Sequence, residues 1–260
     1  MTKYRTRGIE VAVGEQGVGK TFIAVKYAEA FTKAHQEPVV VLDTNREKAY
    51  AHWKEVPLAK VPYLKGQGCY RVSPVDEHGE PTDNLLPILL YLLKWFRNGL
   101  LIAEDINTIT VGMATHELIK VLVNVRHKGL DLLLNFQSSR AIVPRLWENL
   151  KWVRLHKQTG EFHNKIKNYE TKRIAELIIE QEVKRGNHRF YLYIDHQKNS
   201  ISKATRHQIK MAAREYLDEN MTYVKKRLFP KVKAQKDTPQ ARERALNYYL
   251  EQKNYFQPYF

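Results

Sequence analysis

The sequence predicts an α/β fold: a mainly parallel sheet between helices, continued by a basic, mostly helical C-terminal extension. Three observations carry that expectation. Apolar runs of strand length alternate with stretches of helical periodicity through the first 160 residues. Those runs are apolar throughout, as strands covered on both faces by crossover helices must be. After residue 160 the pattern turns to amphipathic, cation-rich segments.

The elements follow in order. GIEVAVG (8–14) is a short strand, and TFIAVKYAEAFTKA (21–34) has apolar residues at helical spacing. PVVVLD (38–43) is a buried strand. NLLPILLYLLKWF (84–96) is the most apolar stretch, but it holds Pro87 and falls short of the roughly 20 residues a membrane helix needs, so it reads as a buried helix. GLLIAED (99–105) is a second buried strand. TVGMATHELIKVLVNVRHKG (110–129) is a helix with Gly129 as its stop. LDLLLNFQ (130–137) is a third buried strand, and KWVRLHK (151–157) alternates as an edge strand does. Beyond residue 160 come an amphipathic helix (168–186), a strand and turn (189–202), a long basic helix (205–228), a segment of linker composition (229–237) and a last helix (238–254). Thr238 and Pro239 suit its N-cap and first position. The expected division is a core over 1–160, a basic α/β extension over 161–228, and a linker with C-terminal helix and tail over 229–260.

Charge narrows the partners. The net charge is +15, with 19 basic and 16 acidic residues in 1–150 but 24 and 12 in 151–260. An excess of this kind attracts polyanions such as nucleic acid, or an anionic membrane surface. Cys69 is the lone cysteine, so no intrachain disulfide forms, which fits a reducing compartment. The first 14 residues lack the apolar core of a signal peptide, and the expectation is a soluble protein.

Gly14-Glu15-Gln16-Gly17-Val18-Gly19-Lys20-Thr21 fits G-x-x-x-x-G-K-[ST], with a strand before it and a helix after it. Glycines let the backbone curl so that successive N–H groups point at phosphate oxygens, and the helix adds its positive end. Lys20 would reach the β- and γ-phosphates, and the Thr21 hydroxyl would ligate Mg²⁺. Such a loop needs a carboxylate on another strand. Position by position, Glu104 takes the place of the acid that holds Mg²⁺ through water, and Asp105 that of the acid polarising the attacking water. The order is Glu-Asp, so with one extra methylene on Glu either acid can reach either task. Asp43, ending PVVVLD, is the fallback. PVVVLD lies between the two motif strands in sequence, compatible with an extra strand separating them in the sheet. The guanine-reading Asn/Thr-Lys-x-Asp is absent, which favours ATP. Gln137, at the tip of a strand beside the carboxylate strand, is placed to touch the γ-phosphate or the water.

The segment 125–155, VRHKGLDLLLNFQSSRAIVPRLWENLKWVRL, resembles the FtsK–HerA superfamily of P-loop ATPases. There a helix ending in an Arg-containing turn leads to an apolar strand with a Gln at its tip and a small loop after it. The resemblance covers roughly residues 8–157. It implies a RecA-like P-loop core, ATP with Mg²⁺, a homo-oligomeric ring, and DNA gripped without regard to sequence. It points to Arg126 as the arginine that completes a neighbouring subunit's site. Arg140 and Arg145 compete for that role, and Arg140 alternatively reaches the γ-phosphate of its own subunit. The superfamily includes DNA translocases, conjugation coupling proteins, genome-packaging ATPases of tailless and membrane-containing viruses, and zonula-occludens-toxin-like proteins of filamentous phages. This sequence departs from its commoner patterns in the Glu-Asp order and in QSSR where many members carry Gln-Arg-Pro. It also lacks the membrane helix that zonula-occludens-toxin-like proteins carry.

The resemblance therefore implies a DNA-translocating, genome-packaging ATPase of a tailless bacteriophage, in the bacterial cytoplasm or on the virion, with a capsid or membrane-embedded viral partner. Two alternatives stay open: a filamentous-phage-type assembly or secretion ATPase at the membrane, and a low-turnover nucleotide-binding protein attached to the capsid. In the basic extension, 187–210 and 223–236 mix cations with aromatics suited to backbone phosphates. Tyr191 and Tyr193 would stack on bases if exposed, or pack in a small sheet. The aromatic tail, NYYLEQKNYFQPYF, either docks on a partner or packs on its own domain.

Overall fold

A computed structural model describes residues 7–76, 78–106, 118, 120, 122, 124–160, 162, 166–253 and 255. The chain divides into two compact units, one of residues 1–153 and 158–160, the other of 154–157 and 161–260.

The first unit is built on a parallel sheet. Its strands are β1 (Ile9–Val13), β2 (Pro38–Leu42), β3 (Lys54–Glu55), β4 (Gly68–Val72), β5 (Gly99–Ala103) and β6 (Leu130–Phe136), in the order β3-β4-β2-β5-β6-β1. Each of these pairings is parallel. Every residue of β2 and β5 is buried, as strands covered on both faces require. The expected extra strand does separate the P-loop strand β1 from the acid-bearing strand β5. It is β6, however, while β2 flanks β5 on the other side. In β6, Asn135 pairs with Ala12 of β1, and Leu134 pairs with Ala103 of β5. Asn135 therefore lies level with Glu104.

Helix α1 (Lys20–His35) meets this sheet through Ala24, Ala28 and Phe31, which share a core with Val39, Val41, Leu100, Ile102 and Leu133. Its alanines let helix and sheet approach closely. Tyr50, in a 3₁₀ turn (Lys48–Tyr50), and Trp53 close the same core. Helix α2 (Leu85–Trp95) buries Ile88, Leu89, Leu92 and Leu93, with Pro87 in the first turn where no N–H is missed. The helix expected over 110–129 lies largely outside the described residues. Residues 118, 120 and 122 are helical, and Gly129 ends a 3₁₀ turn (Val125–Lys128) with φ of 69°. A Cβ on Gly129 would meet Asn98 Oδ1 at 2.2 Å and push that side chain aside, while the φ of 69° itself favours glycine there. Helix α3 (Pro144–Asn149) leads into β7 (Leu150–His156), which carries the chain into the second unit.

The second unit packs α4 (Tyr169–Lys184) against α5 (Arg206–Glu219). Ile174, Ala175 and Ile178 are buried on one helix, and Ile209, Ala213 and Leu217 on the other. Arg173 bridges the pair through Glu219 at 2.7 Å. Strands β8 (Tyr191–Asp195) and β9 (Ser200–Ser202) form an antiparallel hairpin. Tyr191 stacks on His156 with ring centroids 5.2 Å apart and meets Tyr193 edge-on. A capping box, Thr205 with Gln208, starts α5.

The basic helix expected over 205–228 is not continuous. It breaks at Asn220 (φ −116°, ψ 40°), resumes as α6 (Met221–Tyr223), and widens into a π turn (Val224–Leu228). Helix α7 (Pro239–Glu251) has Thr238 as its N-cap, bonded to the Ala241 N–H at 3.1 Å. Residues 229–260, set apart by composition as linker and tail, belong to this same unit. Tyr255 is buried, and its carbonyl accepts the Ile201 N–H at 2.7 Å. Its hydroxyl meets that of Tyr249, which donates to Glu170. The rest of the aromatic tail, 256–260, lies outside the described residues.

Candidate nucleotide-binding site

The site begins where β1 ends. The Gly14 N–H donates to the Phe136 carbonyl at 3.1 Å, which ties the start of the loop to β6. Gly17 and Gly19 take φ of 82° and 92°, values that side chains rarely adopt, with open space around each. Conformation is therefore what the two positions demand. Gly19 caps α1 with no side-chain hydrogen bond, and no acid sits in the first turn. The positive helix end is left to an anion. Lys20 Nζ donates to the loop's own carbonyls, Gly14 O at 2.5 Å and Glu15 O at 2.8 Å. Thr159 donates to Glu15 at 3.1 Å and braces the loop from outside.

Opposite the loop stand the two acids. Glu104 is 5% exposed, and both of its carboxylate oxygens are engaged. Tyr50 donates its hydroxyl to Oε1, and Asn135 Nδ2 donates to Oε2 at 2.7 Å. Two donors, one per oxygen, fix the rotation of the carboxylate. Asp105 has φ of 45°, in the left-handed region. Its Oδ2 accepts from Gln137 Nε2 at 2.8 Å. The adjacent acids thus sit in different settings, Glu104 buried and doubly held, Asp105 joined to an exposed Gln137.

Lys20, Thr21, Glu104, Asp105 and Gln137 line one cleft of about 530 Å³, together with Gln16, Gly17, Gly19, Asn45, Glu47, Asn135 and Phe136. Its volume suits a ligand of nucleotide size. Thr21 and the two acids are hard oxygen donors of the kind Mg²⁺ takes. Among the described residues no group of three or more His, Cys, Asp or Glu side chains is placed to hold a metal ion. By its chemistry the donor set of Thr21, Glu104 and Asp105 fits Mg²⁺, which takes one or two protein oxygens along with the phosphates of its nucleotide.

Other candidates fall elsewhere. Asp43 is buried and accepts the Glu47 N–H at 2.9 Å; burial pushes its carboxyl above the usual range, and it does not line the cleft. Arg140 and Arg145 are exposed and also stand outside the cleft lining. Arg126 lies in the turn Val125–Lys128, and its side chain is outside the described residues. Burial pushes the Cys69 thiol up to about 11, which leaves it a poor nucleophile.

Tyr50 and Asn135 are site residues that sequence reasoning passed over. Asn135 had a signal, an amide inside the apolar run LDLLLNF. Tyr50 had none, since a 3₁₀ turn outside any motif delivers it.

No protein-family model matches this sequence, and no curated protein sequence is similar to it. Solved structures are similar in fold. The genome packaging NTPase B204 from Sulfolobus turreted icosahedral virus 2, in complex with AMP, superposes with a TM-score of 0.53 at 19% identity, over 76% of this chain and 96% of that one. Its complex with ATP-gammaS gives 0.52 at 20% identity, over 75% and 95%. The DNA-packaging ATPase B204 from Sulfolobus turreted icosahedral virus gives 0.53 at 20% identity, over 76% and 97%. At this identity the likeness is one of fold alone, a RecA-like P-loop α/β fold.

Proposed function

We propose that this chain, with its RecA-like P-loop ATPase fold, hydrolyses ATP to move DNA, and that it packages the genome of a tailless bacteriophage as a homo-oligomeric ring. The observation that supports this most is the shared cleft, where Lys20 and Thr21 face Glu104, Asp105 and Gln137. The packaging function itself draws on the likeness to B204, and the ring on the sequence resemblance.

In this reading the N–H groups of 14–21 and the start of α1 cradle the phosphates. Lys20 leaves the Gly14 and Glu15 carbonyls to neutralise β- and γ-phosphate oxygens. Thr21, and Glu104 through water, would hold Mg²⁺, which supplies neutralisation of phosphate charge when bound. Glu104, pinned by Tyr50 and Asn135, keeps its place through the cycle. Asp105 accepts a hydrogen bond from the attacking water and orients it in line with the γ-phosphate. Gln137 touches both Asp105 and that water. An arginine of the neighbouring subunit, Arg126 or one of Arg140 and Arg145, stabilises the charge that develops on the γ-phosphoryl group.

The test is the ATPase rate of wild type and Lys20→Ala, with and without single- and double-stranded DNA. Hydrolysis by wild type, stimulation by DNA, and loss of about a hundredfold or more in Lys20→Ala are expected. Equal rates in the two proteins overturn the ATPase reading. Hydrolysis indifferent to DNA overturns the translocase reading alone.

A further inference from the structure

Of the 24 to 12 excess of cations over acids in residues 151–260, one stretch concentrates the charge. Residues 221–236, MTYVKKRLFPKVKAQK, hold six cations and no acid. The structure gives this stretch a fixed shape. Val224, Leu228 and Phe229 are each buried, so the π turn and the turn after it are anchored from below. The Phe229 N–H donates to Val224 O at 3.0 Å, the Val232 N–H to Leu228 O at 3.2 Å, and the Ala234 N–H to Phe229 O at 2.9 Å. Because Val224 and Leu228 both turn inward, the three residues between them, Lys225, Lys226 and Arg227, stand outside and are exposed. Lys231 and Lys233 are exposed on the following turn. Among the described residues Asp237 is the acid that meets these side chains, 3.1 Å from Lys225 Nζ. Tyr223 is 41% exposed beside them.

We infer that this surface is a nucleic-acid contact, binding backbone phosphates of DNA through Lys226, Arg227, Lys231 and Lys233 without reading bases. The inference rests on the DNA-translocase reading and names where on the second unit the polymer is held. Exposed like charges kept close by a rigid turn repel one another until a polyanion neutralises them, and the counterions released favour binding. Val224, Leu228 and Phe229 point inward, and the outward positions are mostly cationic, so the stretch lacks the continuous apolar face that a membrane-surface helix lays into a bilayer. Tyr223 adds a ring on which an unpaired base can stack.

The test uses the full chain. Binding of fluorescein-labelled mixed-sequence duplex and single-stranded DNA is followed by anisotropy across a salt series. Three proteins are compared: wild type, a triple variant (Lys226→Ala, Arg227→Ala, Lys231→Ala), and a charge-preserving variant (Lys226→Arg, Lys231→Arg). Sedimentation with phosphatidylcholine–phosphatidylserine vesicles is run beside them. The triple variant is expected to melt with wild type, to bind DNA about tenfold or more weakly, and to lower the slope of log affinity against log salt by about one per cation removed. The charge-preserving variant keeps wild-type affinity. A triple variant with unchanged affinity and slope overturns this assignment while the translocase reading stands. Wild type that binds no DNA at any salt overturns both. Vesicle binding in wild type that the triple variant loses, with DNA binding unchanged, assigns the surface to a membrane and overturns the nucleic-acid contact.

Discussion

Glu104 and Asp105 are neighbours in sequence, yet each is held by a different kind of partner. The buried Glu104 takes one hydrogen bond on each oxygen, from Tyr50 and Asn135. Asp105 takes one from an exposed amide, Gln137. Tyr50→Phe keeps the ring packed against Trp53, at 4.8 Å between centroids, and removes only the donor. If Glu104 holds Mg²⁺ as proposed, kcat is expected to fall by about 10- to 100-fold, the usual effect of losing an outer partner of a metal-site carboxylate. The KM for ATP and the affinity for ATP-gammaS stay near wild type, because the phosphate cradle is untouched. Steady-state kinetics with a direct binding measurement checks this, and a loss confined to KM sinks it. Gly14 to Thr21 was legible from sequence because its chemistry is local: glycine φ angles, a lysine and a hydroxyl at fixed spacing. The acids were legible as the polar end of an apolar strand. Tyr50 was not, because only the folded chain brings it 54 residues along to Glu104.

Element identity was easier to read than element arrangement. The apolar runs located β1, β2, β5 and β6 because parallel strands are buried on both faces, but apolar content carries no information about neighbours. That is why β6 rather than β2 came to lie between the motif strands. The helix expected over 205–228 failed for a related reason. The periodicity of 221–228 continues that of α5 closely enough that the break at Asn220 leaves no mark in the pattern. Two elements invite tests. Gly19→Ala forces a side chain onto φ of 92° at the start of α1 and is expected to abolish ATP-gammaS binding while the sheet persists by circular dichroism. Full retention of binding would show that the loop's conformation is not what grips the phosphates. Thr205→Ala removes the capping box of α5 and is expected to cost about 1 kcal/mol by urea unfolding, against no change if the cap is idle.

At the scale of the molecule, composition foretold the asymmetry of charge but not its consequences for stability. The second unit buries several basic side chains, among them Lys172 and His196. Burial, reinforced by Lys172 and Lys167, lowers the His196 imidazole from 6.5 to about 4. The unfolded chain binds this proton more readily. Stability from the neutral ring is therefore complete above about pH 6.5 and is lost as pH falls through about 4, on the order of 3 kcal/mol in all. Wild type should lose more unfolding free energy than His196→Gln between pH 7 and pH 5, measured by urea titration at each pH; parallel losses in the two proteins refute it. Among the described residues no helix is long and apolar enough to cross a membrane.

Asn135 and Gln137 sit two residues apart, one near the end of β6 and the other just past it, so their side chains fall on the same side of the chain. One strand end thus touches both acids, and deleting one residue ahead of Asn135 is expected to disengage the two together where a point substitution disengages one.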